Sequence, residues 1–298
     1  MRAAQYLVAT VLLASVLRAA EPASAEYTHE IEDWRAARLA RLVTPDGWLT
    51  LIGLHFLQPG ENTVGSAKDN SVVLAKGPAH LGTLTLADDG CVKAVFNPGL
   101  GTKVDGEDEL AADLKDDSHG KSSVVSVDTV SVLVVDRGGK KALRVKDSES
   151  ARRTGFLGLD YFPIDPSWRI EADWVAFDKP REVSIRDVLG NVSPAMILGK
   201  AVFTREGRTI ELLPIQDDPD GILFFVISDE TSGKQTYDAA RFLYAAQPVD
   251  GKVLLDFNKA QNPPCAFTPF ATCPLPPKEN QIPLPVLAGE KNYRGHHD

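Results

Sequence analysis

Short apolar runs alternate with turn residues along most of this chain, and one stretch departs from that pattern toward a helical repeat. Over residues 27–43, Ile31, Trp34, Leu39 and Leu42 approximate one apolar stripe. Glu30 and Glu32 stand early and Arg38 and Arg41 late, as a helix dipole favours, and Pro45-Asp46-Gly47 ends the predicted helix. Short apolar runs follow: Trp48 to Leu57, Thr63 to Gly65, Ser71 to Leu74, Leu81 to Leu86, then the Asp88-Asp89-Gly90 turn into Cys91 to Phe96. Ser122 to Val135 reads as a Val-rich pair of strands and Lys141 to Val145 as another. Before them, Asp105 to Asp117 holds seven acidic residues and one Lys and reads as a solvated loop.

In the second half, Trp168, Ile170, Ala172 and Trp174 alternate with Arg169, Glu171 and Asp173, a half-buried strand. Turns at Gly190-Asn191, Glu206-Gly207, Asp220-Gly221, Ser232-Gly233 and Asp250-Gly251 separate further runs. The spacing predicts an all-β protein: an N-terminal helix, a sandwich-like β unit, and a meander β-barrel closed by a Pro/Cys-rich loop. The corresponding ranges are 26–45, 46–149 and 150–298.

Residues 1–25 read as a signal peptide. Arg2 supplies the positive region, Leu7 to Leu17 the apolar core, and Ala23-Ser24-Ala25 a small-x-small cleavage pattern before Glu26. That core is too short to span a bilayer, and no later segment is apolar enough, so the expectation is a periplasmic or secreted protein that is not integral to the membrane. A net charge of −9 argues against nucleic acid as a partner.

Eight of the 20 prolines and two of the three cysteines fall between Asn262 and Pro285, which predicts an ordered, folded-back loop. In an oxidising compartment the close pair Cys265 and Cys273 is expected to form a disulfide, leaving Cys91 as the odd thiol. The alternative is a free thiolate at Cys265. C-x7-C is not a zinc spacing, no His lies near either thiol, and no nucleotide- or phosphate-binding glycine loop occurs, so neither metal nor cofactor is expected. His55, between Leu54 and Phe56, needs a partner if buried.

Gly47-Trp48-Leu49, Phe162-Pro163, Trp168-Arg169, Thr236-Tyr237, Arg241-Phe242-Leu243, Asn262-Pro-Pro-Cys-Ala-Phe267, Cys273-Pro-Leu-Pro-Pro277 and Gly289-Glu290-Lys291 together resemble the bacterial domain-of-unknown-function family numbered 1684 over nearly all of the chain after the leader. The resemblance implies no particular activity. Within residues 55–110, Thr63-Val64-Gly65-Ser66, Asn70 to Leu74, His80 and Gly101-Thr102-Lys103-Val104-Asp105-Gly106 are similar in order to a forkhead-associated β-sandwich. Ser66 stands where such domains place a phosphate-binding Arg, Pro78 and Ala79 replace a Ser and Arg, and Asp105 replaces an Asn, so the resemblance implies shape without phosphopeptide binding.

With no nucleophile–base signature, the leading expectation is binding of a small or polymeric ligand at a barrel mouth. Its candidate residues are Trp168, Arg169, Tyr237, Arg241, Asp256, Asn258 and Asn262. Asp256 and Asn258 share one face and can orient a ligand or water, or equally cap their own turns. The alternatives are an envelope hydrolase using Asp256, Glu290 or Cys265, and a structural or interaction module.

Overall fold

The computed structural model describes residues 23–215 and 221–295, so the apolar core of the proposed leader and the terminal His296-His297 lie outside the described residues. The helix spans Ala25–Leu42, with the Ser24 hydroxyl accepting from the Tyr27 amide at 3.1 Å. Its buried face carries Tyr27, Ile31, Arg38 and Leu42, whereas Leu39 is 40% exposed. The expected stripe was therefore off by one position: Arg38 turns inward because a buried carboxylate, Glu290, receives it.

Two sheets form the first half. One runs in the order Leu51–Phe56, Lys140–Asp147, Val130–Arg137, Val124–Val127, Lys103–Val104 and Glu107–Asp108. The other runs Val72–Val73, Gly60–Gly65, Gly82–Leu86, Val92–Phe96 and Ala111–Leu114. Val64, Leu84, Ala94 and Phe96 from the second meet Val125, Val132, Leu143 and Val145 from the first in one core, the outcome of period-two patterning on both inner faces. The acidic stretch 105–117 is not a plain loop. Glu107–Asp108 and Ala111–Leu114 are edge strands within it, and their charges face water where they discourage edge-to-edge pairing. His55 is half-buried against Gly53, where a Cβ would meet its Nε2 at 2.6 Å. Among the described residues that Nε2 finds no hydrogen-bond partner, and burial lowers the imidazole's pKa.

In the second half, Arg208–Leu212, Val192–Arg205, Arg169–Arg186 and Lys252–Asp256 make a four-stranded sheet. Arg241–Ala245, Leu223–Asp229 and the short parallel Gln281–Ile282 make a three-stranded one. They curve as an open half-barrel around Phe203, Leu212, Phe225, Leu243, Leu255 and Phe257. Its order is not a simple meander, because Lys252–Asp256 returns to pair with Arg169–Asp173. The all-β class, with one substantial helix, is as the patterning predicts.

The hairpin formed by Arg169–Arg186 and Val192–Arg205 is unusually long. Its register slips between Ala176 and Arg181, where Pro180 removes a ladder donor, and the distal arm continues as a separate apolar patch around Ile185, Ala195 and Ile197. That arm carries the Pro/Cys loop. The Val188 amide donates to the Cys273 carbonyl and the Leu275 amide to the Arg186 carbonyl, at 3.0 and 2.7 Å. The loop's prolines are held without cis peptide bonds among the described residues. Among those residues no helix is long and apolar enough to cross a membrane.

Candidate functional site

Most of the polar residues expected at a ligand mouth are instead fastenings. Asp256 Oδ1 accepts the Tyr27 hydroxyl at 2.8 Å and the Asn258 amide at 3.1 Å. Asn258 Nδ2 donates to Tyr27 Oη and to the Asp165 carbonyl, while its Oδ1 accepts the Asp165 amide. These bonds pin the N-terminal helix onto the half-barrel. The Asn262 amide donates to Glu290 Oε2 at 2.7 Å and its Nδ2 to the Lys291 carbonyl at 2.8 Å, and Arg38 Nε meets Glu290 Oε1 at 2.9 Å. Arg241, 1% exposed, pairs with Asp229 at 2.7 Å and donates to the carbonyls of Val286 and Ala288. Trp168 packs edge-on against Phe257 with the Arg205 guanidinium over its ring. Arg169 is exposed, paired with Glu30 and seated over Tyr27. Tyr237 donates its hydroxyl to the Cys265 carbonyl at 3.1 Å. The structure thus brings Asp256 and Asn258 together at the helix and Asn262 and Arg241 to Glu290, whose carbonyl Arg241 reaches at 3.5 Å, with Tyr237 elsewhere.

The chemistry with room around it lies on the other side of the Pro/Cys loop. A cavity of about 560 Å³ opens where four elements meet. The 136–138 turn and Arg144 come from the sandwich, Asp187 and Ser193 from the hairpin arm, Phe224, Phe242 and Tyr244 from the half-barrel, and Thr272, Cys273 and Pro274 from the loop. None of the seven expected ligand residues lines it; of the expected cysteines, Cys273 does. Phe224 stacks on Tyr244 at 5.0 Å and meets Phe242 edge-on at 4.8 Å, giving a rigid aromatic wall.

The cavity is lined by two arginines and two aspartates, and of these only Arg144 lacks a hydrogen-bonded or ionic partner among the described residues. Asp136 is held by Lys141 at 2.8 Å and by the Gly139 amide. Asp187 accepts from the Leu189 and Asn191 amides and from Asn191 Nδ2, closing its own turn. Arg137 pairs with Asp117 at 2.8 Å and donates to Thr272 Oγ1 at 2.8 Å. Arg144 is left over. Its Nε is buried and unpartnered, no ion pair within bonding distance reaches its guanidinium among the described residues, and its neighbours are the Trp48 ring at 5.2 Å, the repelling Arg137 and, at longer range, the attracting carboxylate of Asp117. Burial first, then Arg137, brings its pKa down to about 10, which still leaves it charged at neutral pH. Nearby, burial opposes but Lys141 and Ser118 overcome it to hold the Asp116 carboxyl down to about 2, so Lys141 is committed as well.

Cys265 and Cys273 are free thiols in this structure, not the expected disulfide, yet they touch: the Cys265 amide donates to Cys273 Sγ at 3.2 Å. The Cys273 thiol supports a lowered pKa at Cys265, while its own is raised, first by Cys265 and then by burial. A larger hollow of about 860 Å³ lies between Phe56–Pro59 and the hairpin tip. Its Lys141 is already paired, and among the described residues it presents no buried side-chain polar atom lacking a partner.

Sequence reasoning singles out Tyr244 beside Tyr237 and Arg241 but misses Arg137, Arg144 and the Phe224 and Phe242 that complete the wall. Arg144 reads as an ordinary outward position on a strand whose Leu143 and Val145 face the sandwich core. Only the packing of the second half against that outer face desolvates it.

Fold and site together define an all-β protein, a β-sandwich followed by a half-barrel, with an arginine-bearing cavity between the two. Residues 154–291 match the sequence model of a family described as "Protein of unknown function (DUF1684)", and this later part of the chain belongs to that family. The match does not reach Gly47-Trp48-Leu49, so the expected near-complete coverage narrows to the half-barrel and its loop. The solution NMR structure of an uncharacterized protein from Haloarcula marismortui is similar, at 30% identity over 48% of this chain and 81% of that one, with a TM-score of 0.41. No curated protein matches.

Proposed function

We propose that this is an exported protein that binds a small anionic ligand with a flat or apolar body in the cavity beside the Pro/Cys loop. The observation that carries this reading is Arg144. A partly desolvated guanidinium whose buried Nε–H has no acceptor and whose nearest attracting carboxylate, Asp117, is bonded to Arg137 is costly to keep, and an anion would complete it. The aromatic wall supplies contact area for the rest of such a ligand, as pockets of this size usually do. Calorimetric titration with small aromatic and sugar carboxylates is expected to give saturable, salt-weakened binding. A flat titration across that panel would leave the loop as a structural fastening.

An envelope hydrolase remains the second reading. One observation favours it, the lowered thiol of Cys265 beside the cavity-lining Cys273. Asp256 and Glu290 support it less, since both carboxylates are buried among donors from the helix and loop. In an oxidising envelope we further propose that the thiol pair closes to the disulfide expected from its spacing, which removes the nucleophile. Thiol titration of denatured protein taken from its own envelope is then expected to find one free thiol, Cys91; three would favour the hydrolase.

A further inference from the structure

The cavity does not end at its aromatic wall. Tyr244 also lines a second hollow, of about 360 Å³, whose other walls are Trp34, Arg41, Lys259 and Gln261. The partition between the two is stiff. Phe242, which faces the first hollow, exchanges both backbone hydrogen bonds with Gln261, which faces the second, at 2.8 and 2.9 Å. Each hollow holds a flat aromatic ring and an unmatched guanidinium. Trp48 and Arg144 serve the first. In the second, Trp34 and Arg41 stand seven residues apart on one face of the N-terminal helix. Arg41 is exposed, and its guanidinium has no hydrogen bond or ion pair among the described residues; Lys259 is already held by Glu30 at 2.6 Å.

Building on the anion-binding reading of Arg144, we propose that the two hollows are subsites of one groove and that its ligand is an acidic oligosaccharide of the uronic-acid type. A repeat of ring plus carboxylate matches a repeat of aromatic plus guanidinium. The C–H face of a sugar ring lies against an aromatic side chain, and the carboxylate takes a charge-assisted bond from the arginine. Two other extended ligands fit less well. A peptide adding to the sheet needs unpaired backbone, and Phe242 and Gln261 bond to one another. An acyl chain needs apolar walls, and three of the second hollow's five lining residues are Arg41, Lys259 and Gln261. The second hollow is lined by Arg41 and Lys259, while the first sets Arg137 and Arg144 against Asp136 and Asp187, on a chain of net charge −9, so the attraction is local, short-ranged and weakened by salt.

The test compares galacturonate with tri- and tetragalacturonate by calorimetry on the full chain and on Arg41→Gln and Trp34→Ala. The oligomers are expected to bind at least about tenfold more tightly than the monomer, as one added charge-assisted contact provides. Either variant is expected to erase that gain while the affinity of the monomer for the Arg144 cavity stays within about twofold, because neither Trp34 nor Arg41 lines that cavity. Equal affinity for monomer and oligomer, or a gain that survives both variants, would overturn the groove and leave the Arg144 cavity standing. Binding of aromatic carboxylates but of no uronate would overturn the sugar assignment. Failure of every anion would remove the cavity reading and the groove with it.

Discussion

Replacing Arg241 with Met is expected to cost about 3–5 kcal/mol of folding stability, a large share of what a typical domain has. Arg241 is buried against Asp229 at 2.7 Å, and Asp229 in turn accepts from the amides of Thr231 and Val286. The carbonyls of Val286 and Ala288 close on the same guanidinium, so one side chain latches the C-terminal segment onto the half-barrel. Removing it strands a buried carboxylate and several carbonyls at once. The double variant Arg241→Met/Asp229→Asn is expected to be more stable than the sum of the single effects by at least about 1 kcal/mol, because the stranded charge is then gone. Urea denaturation of the three variants checks this. Single losses below about 1 kcal/mol would show that water, not Asp229, satisfies the arginine.

Arg144→Gln is expected to act with the opposite sign on stability. Its charge is partly desolvated and is met only by the longer-range pull of Asp117, with no ion pair among the described residues, so the neutral side chain leaves the melting temperature unchanged or raises it. Anion affinity is expected to fall by about 1.5–3 kcal/mol, roughly 10- to 150-fold, the worth of a hydrogen bond to a charged group. The pH dependence follows from the same group. Binding needs the protonated guanidinium, so affinity holds through neutral pH and fades as pH rises through about 10, where burial and Arg137 have placed its pKa. Lower stability together with unchanged affinity would assign Arg144 to packing alone.

Period-two patterning and turn residues made the all-β class and most strands legible, because each sheet buries one face. Where the patterning misled, a distant partner had intervened. Arg38 faces inward because of Glu290, more than two hundred residues away, and no local periodicity encodes that. The Pro/Cys segment was legible as an ordered loop, but its neighbours were not: residues 273–275 lie along the hairpin arm and so bring Cys273 to the sandwich's Arg144. Asp256, Asn258 and Asn262 looked like a binding cluster because short polar side chains beside an irregular loop serve ligands and turns alike. Their bonds to Tyr27, Asp165 and Lys291 place them with the turns and the helix.

The most direct test of the central claim is the ¹⁵N–¹H signal of the Arg144 Nε–H during titration with a small carboxylate. Binding in the cavity predicts a saturable downfield shift and slowed exchange of that one signal, absent in Arg144→Gln. A ligand that binds while the Arg144 Nε–H signal stays where it was would contradict the account.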